Sequence, residues 1–190
     1  SVSDFGDLTI SREGLTACSN ASRGIFAAGY LESGGYIDYN TIEYITISTL
    51  GNATDFGDLT QNKNSIASCS NGTRGIFGGG FTYPNYYDTI EYITIDTTSN
   101  ATDFGNLTQA RKGVGGLADS TRAVFGGGYN LSGGTRFNIM DYITVASTGN
   151  ATDFGDMTLG RYHPGSASND TRGVVAGGYN TTGNPRSDVM

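Results

Sequence analysis

The polarity pattern along the chain is a train of short apolar clusters, each closed by Gly, Asn, Ser or Asp. In the stretch TIEYITI, Ile42, Tyr44 and Thr46 fall on one side of an extended chain, and Glu43, Ile45 and Ile47 on the other. Bulk on both sides predicts a strand covered on both faces, since a strand with one wet face alternates more cleanly. Turn-forming residues separate this cluster from its neighbours, so each stretch of chain reads as several short strands.

The clusters repeat. Asp-Phe-Gly occurs at Asp4, Asp55, Asp103 and Asp153, and its phenylalanines Phe5, Phe56, Phe104 and Phe154 are 51, 48 and 50 residues apart. A second block reads SRGIFAAGY (22–30), TRGIFGGGF (73–81), TRAVFGGGY (121–129) and TRGVVAGGY (171–179). A third reads NTIEYITI (40–47), DTIEYITI (88–95) and NIMDYITV (138–145). Each repeat parses into a strand after DFG, a strand at RGIF, a strand at IEYITI and a strand at NATDFGDLT. A period near ~50 residues means a propeller or a solenoid, and four strands in that length is the size of one propeller blade. We read residues 1–190 as one all-β domain, with repeats near 10–60, 61–108, 109–158 and 159–190 and an outer strand at 1–9.

These blocks resemble the kelch repeats of galactose-oxidase-type β-propellers. The double glycine is Gly79-Gly80, Gly127-Gly128 and Gly177-Gly178, the third-strand tyrosine is Tyr44, Tyr92 and Tyr142, and the fourth-strand aromatic is the DFG phenylalanine. Arg12, Arg111 and Arg161 match the arginine that often opens the first strand. Two departures stand out: the chain has no Trp, and the first repeat carries Ala27-Ala28-Gly29. The wording TRGIFGGG/IEYITI/NATDFGDLT is also similar to kelch-like proteins of marine bacteriophages, cyanophages above all. Together the resemblances imply a kelch-type propeller, a virion or extracellular location, and virion subunits or glycans as partners. Kelch rings commonly have six or seven blades, which makes these four part of a larger ring; closure of four blades through Ser1–Thr9 is the alternative. The DFG segment is also similar to the Asp-box of sialidase propellers, but the box's serine and terminal Trp are missing, so the Asp reads as a turn former.

Composition narrows the chemistry. Gly, Ser, Thr, Asn and Tyr dominate, and Lys occurs only as Lys63 and Lys112. The net charge is −7, with no basic run. Nucleic-acid binding needs a cationic footprint and is disfavoured. No apolar run is long enough for a membrane helix. Cys18 and Cys69 occupy equivalent repeat positions, filled by Leu117 and Ala167 in the later repeats. They are expected as free, buried thiols.

DFG alone would suggest a kinase, but the catalytic-loop and lysine motifs are missing. His163 is the only histidine, which leaves no copper or zinc ligand set and no hydrolytic triad. The repeated carboxylate pairs Asp4/Asp7, Asp55/Asp58 and Asp153/Asp156 read as turn caps and as partners for Arg23, Arg74, Arg122 and Arg172. Ca²⁺ is the minor alternative. Nine N-x-S/T sequons occur, three of them in the repeated NAT turn at Asn52, Asn100 and Asn150; these read as turn chemistry. We expect no metal and no cofactor.

Variation concentrates between strands two and three, at 31–40, 82–88, 130–138 and 180–188. A constant frame carrying variable loops is how binding surfaces are built. The loops are rich in Tyr, Asn, Ser and Gly, a composition that suits adaptable recognition. Tyr36, Tyr39, Tyr83, Tyr86, Tyr87, Arg136 and Phe137 are the candidate binding residues. The resulting expectation is a non-enzymatic interaction module, a phage virion surface or fibre component that binds host glycan or protein and is able to oligomerise. A purely structural virion protein is the alternative. A fragment of a galactose-oxidase-like or sialidase-like enzyme, with its site elsewhere, is the third reading.

Overall fold

The computed structural model describes residues 4–33, 35–131 and 134–180. Three four-stranded antiparallel sheets share one strand order. The first comprises Thr16–Ser19, Arg23–Ala27, Thr41–Thr46 and Thr54–Asp58. The second comprises Ala67–Ser70, Arg74–Gly78, Thr89–Thr94 and Thr102–Asn106. The third comprises Gly115–Ala118, Arg122–Gly126, Ile139–Thr144 and Thr152–Asp156. A fourth unit shows the hairpin Gly165–Ser168 with Gly173–Ala176. The alignment of Ser187–Met190, most of the loop at 180–188 and the first three residues lie outside the described residues.

Each first hairpin is closed by an Asn or Asp at the same place. The side-chain oxygen of Asn71 accepts the Thr73 and Arg74 N–H groups at 3.0 and 2.8 Å, and Asn20, Asp119 and Asn169 do the same. Such short acceptors mimic a backbone turn, which is why these positions keep Asn or Asp. In the second hairpin of each sheet the register shifts at the DFG segment. Ile42 faces Gly57 while Glu43 faces Asp55, so Phe56 is an inserted bulge residue; Phe104 and Phe154 repeat this. The bulge turns each phenylalanine onto the third-strand tyrosine, edge-on: Tyr44–Phe56 at 6.0 Å, Tyr92–Phe104 at 5.8 Å and Tyr142–Phe154 at 5.9 Å.

The apolar cores lie between successive sheets. Ile25, Ile42 and Phe56 of the first sheet meet Phe77, Ile93 and Ile95 of the second. Ile76, Ile90 and Phe104 of the second meet Phe125, Ile143 and Val145 of the third. In the second sheet both faces of TIEYIT are therefore covered, as its pattern predicts. Burial of each such side chain contributes roughly 1.5–3 kcal/mol, so these junctions supply most of the cohesion.

Specific polar contacts fix the junctions. Arg23 stacks on Tyr44, 4.5 Å from the ring centre, and donates to the Ile95 carbonyl of the next sheet at 2.9 Å. Arg74 lies 4.3 Å over Tyr92 and donates to the Val145 carbonyl at 2.5 Å, and Arg122 lies 5.1 Å over Tyr142. This corrects the sequence expectation for these arginines. Their partners are aromatic faces and carbonyls, and among the described residues none of them pairs with the DFG aspartates, which are exposed on the outer strands. Arg172 is exposed.

The NAT asparagines clamp neighbouring outer strands. Asn52, Asn100 and Asn150 accept the N–H of Asp7, Asp58 and Asn106 at 3.0, 3.0 and 3.1 Å. The approach is close enough to exclude a side chain at Gly57. A Cβ there would lie 2.5 Å from the Ser99 carbonyl oxygen, at φ +142°.

A buried carboxylate then locks each connection onto the sheet that follows it. Glu91 accepts the Thr60 N–H and hydroxyl at 2.6 and 2.5 Å and pairs with the Lys63 ammonium. Asp141 accepts the Thr108 N–H and hydroxyl at 3.0 and 2.7 Å and pairs with Arg111 at 3.0 Å. Glu43, Thr9 and Arg12 form the same set, with the ion pair at 2.5 Å. The pairs are desolvated, and that desolvation lowers the Arg12 and Arg111 pKa values against the opposing pull of their carboxylates.

Cys18 and Cys69 are free. Burial pushes the Cys18 thiol up to about 12, and burial followed by the neighbouring Cys18 pushes Cys69 further up.

Two outcomes follow from this architecture. Glu91→Ala leaves Lys63 buried without its counter-charge and is expected to cost about 3–5 kcal/mol in denaturant unfolding. Asn100→Ala, on an exposed clamp, is expected to cost only about 1 kcal/mol. Equal losses would sink the view that the carboxylate lock is the dominant polar contact. Iodoacetamide at mildly alkaline pH should label neither thiol quickly in the folded chain and both on unfolding; a fast-labelling native thiol would contradict the burial.

Candidate binding face

The connection entering each sheet runs beside the loop between its second and third strands, and main-chain bonds join the two. Glu13 pairs with Tyr30, Asn64 with Phe81, Lys112 with Tyr129 and Tyr162 with Tyr179. The next residue of each connection, Gly14, Ser65, Gly113 and His163, is left-handed, with φ from 52° to 64°. These four form a chain of their own: Ser65 N–H donates to Gly14 at 3.0 Å, Gly113 to Ser65 at 2.8 Å and His163 to Gly113 at 2.7 Å. They border a polar cavity of about 370 Å³ lined by the first strands, including Thr16, Ser68, Gly116 and Ser166. Ser68 and Ser166 donate across it to the Ala17 and Gly116 carbonyls, both at 2.7 Å.

The double glycine completes the loop entry. Gly79 is left-handed at φ +71°, and a Cβ there would sit 2.5 Å from the Arg111 carbonyl oxygen. Ala28 takes the same role in the first repeat at φ +62°.

The structure brings an aromatic residue of every repeat to this face. Tyr30 stacks on Tyr36 at 5.2 Å, and Phe81 packs against Tyr86 at 4.7 Å. Tyr162 lies between Tyr129 at 5.3 Å and Tyr179 at 5.2 Å. Among the predicted residues, Tyr36 and Tyr83 are open to solvent, with 67% and 83% of their surface exposed. Tyr86 and Arg136 are half-buried and stand within the aromatic contacts. Tyr39, Tyr87 and Phe137 are equivalent loop-base positions. Their N–H groups bond Gly29, Gly80 and Gly128, and their carbonyls accept Lys63, Arg111 and Arg161 N–H, so their backbone belongs to the frame. Tyr83 stands apart from these stacks at its loop tip.

Sequence reasoning missed Tyr30, Phe81, Tyr129, Tyr162, Tyr179 and Lys112. Four of them immediately follow the glycine pair or its counterpart and were absorbed into the repeat motif.

Charge is distributed unevenly. The first loop is acidic: the Glu32 carboxylate, then desolvation, raises the Tyr36 hydroxyl pKa, and Glu13 adds to desolvation at Tyr30. Asp38 accepts from Asn64 at 2.6 Å and from the Thr82 hydroxyl, linking the first loop to the second. Further along, Lys112 lies 4.1 Å over the Phe81 ring, and Arg136 lies 5.9 and 5.6 Å from the Tyr129 and Tyr162 ring centres. His163 packs on Tyr162 at 5.1 Å. Partial desolvation, then the positive charge of Lys112, lowers the His163 pKa below 6.5.

A second cavity, of about 490 Å³, lies between the third sheet and the last hairpin, lined by Leu117, Val124, Phe154, Met157 and Val175. Phe154 is 48% exposed there, whereas Phe56 and Phe104 are buried under the third strand of the following sheet.

Among the described residues, no three His, Cys, Asp or Glu side chains gather as a metal site. No protein-family model matches the chain, and no curated protein matches it.

The single imidazole offers a direct check. An NMR titration should place the His163 pKa below 6.5, and Lys112→Gln should move it upward. The lowered pKa means that the unfolded chain binds the proton better. His163 therefore adds stability above pH 6.5 that is lost as the pH falls through its folded-state pKa. An imidazole titrating above 6.5 would contradict this environment.

Proposed function

We propose that the chain is a non-enzymatic recognition module, that its sheets are blades of a kelch-type β-propeller, and that it binds glycan through the face described above. One observation carries the reading. Equivalent main-chain positions present Glu13, Asn64, Lys112 and Tyr162 on an otherwise constant frame, beside an aromatic from every repeat. A frame that varies its surface side chains while keeping its bonds is suited to recognition. Stacked tyrosines supply rigid, amphipathic contact area of the kind that packs against sugar rings.

The resemblance to kelch-like phage proteins supports a virion surface or fibre, and hence an extracellular setting with host glycan or protein as the target. Docking to another virion subunit is the second reading, favoured by the exposed Tyr83 and Leu131 at neighbouring loop tips.

A glycan array, run beside a pull-down with virion proteins, separates the two. The glycan reading expects saccharide binding that Tyr162→Ala weakens by about tenfold while Tyr83→Ala leaves it nearly unchanged, equivalent to ~1.4 kcal/mol at the affected site. Capture of a virion subunit with no saccharide bound would transfer the function to docking.

A further inference from the structure

We propose that the sector of this face around Arg136 takes an acidic saccharide, one bearing a carboxylate or sulfate group. The inference rests on the glycan reading and narrows its ligand class. The observation behind it is an arginine without an ion-pair partner among the described residues. The Arg136 guanidinium lies over Tyr129 and Tyr162, at 5.9 and 5.6 Å, and its Nε is buried with no hydrogen-bond acceptor. Ion pairs among the described residues are made by Arg12, Lys63 and Arg111, and none by Arg136 or Lys112.

Lys112, Tyr129 and Arg136 are consecutive cross-strand neighbours: Tyr129 pairs with Lys112 on one side and with Arg136 on the other. Directly opposed residues of an antiparallel pair project to the same side, so two cations flank one tyrosine. The carboxylate whose charge acts on Lys112 is Asp38, and its oxygens are already engaged by Asn64 and Thr82.

An anion arriving here breaks no ion pair among the described residues. A guanidinium held against aromatic faces keeps its planar edge free to bond two oxygens at once. The adjoining rings of Tyr129, Tyr162 and Tyr179 offer apolar area for the sugar body. The chain as a whole carries −7, and its first loop surrounds Tyr30 and Tyr36 with Glu13 and Glu32. The cationic sector is therefore a local exception, which selects for where an acidic ligand settles.

The test is calorimetric titration of the unmodified chain with sialyllactose against lactose, and with a sulfated against an unsulfated galactan oligosaccharide. The expected result is at least about tenfold tighter binding of one acidic member over its neutral partner, lost on raising salt towards about 0.5 M. Arg136→Gln should abolish that preference; Lys112→Gln should reduce it. Thermal melts of both variants confirm folding, and the salt series on the unmodified chain does not depend on either. Whichever acidic probe is preferred identifies carboxylate or sulfate as the recognised group. Equal binding of acidic and neutral sugars would overturn the inference and leave the glycan reading standing. An acidic preference unaffected by both variants would also overturn it. Failure to bind any saccharide would remove both.

Discussion

The structure turns on a carboxylate placed where water cannot reach it. Glu43, Glu91 and Asp141 each sit on the third strand of a sheet and are fully buried. Each is answered by a threonine and a cation from the connection that enters the sheet. Replacing such a set with apolar side chains need not weaken a fold, but removing one member leaves a stranded charge. Its contribution is thus positional. The apolar side chains between the sheets would tolerate sliding, whereas a carboxylate that must meet a hydroxyl, an N–H and a cation together accepts one register.

That register sets the geometry of the candidate binding face. Lys63 and Arg111, held by the carboxylates, lie one residue before Asn64 and Lys112, which pair with the loop aromatics. The buried charge and the residue that pairs with the loop are adjacent in sequence. The pairing residue is therefore placed by a neighbour whose side chain is locked.

Much of the frame could be read from the sequence, because it is periodic. The DFG repeats, the Asn or Asp at each hairpin and the doubly apolar TIEYITI strand all report local geometry, and local geometry leaves local patterns. Contacts between sheets were opaque, since they join residues tens of positions apart. The Thr60–Lys63–Glu91 set and the pairing of Arg23 with Tyr44 and Ile95 are of that kind. The candidate binding face was half legible. Tyr36, Tyr83 and Arg136 stood out as loop residues, but Tyr39, Tyr87 and Phe137 lie at loop bases where backbone bonding claims them. Tyr129 and Tyr179 went unnoticed for the opposite reason: an aromatic after a glycine pair looks like framework when seen as a repeat, although its ring faces outward among the stacks.

The pairing of connection and loop through main-chain atoms has a consequence for change over generations. Glu13, Lys112 and Tyr162 pair with their loops through backbone groups that nearly every amino acid possesses, whereas Asn64 is buried and adds side-chain bonds to Asp38 and Ser65. Mutation at the first three places rewrites what the surface displays without taxing the fold beneath it. Neighbouring repeats can then diverge in parallel, each drifting towards a different contact. The same independence would let a designer randomise these three positions together, keeping Asn64, and select new specificities from a scaffold that stays intact.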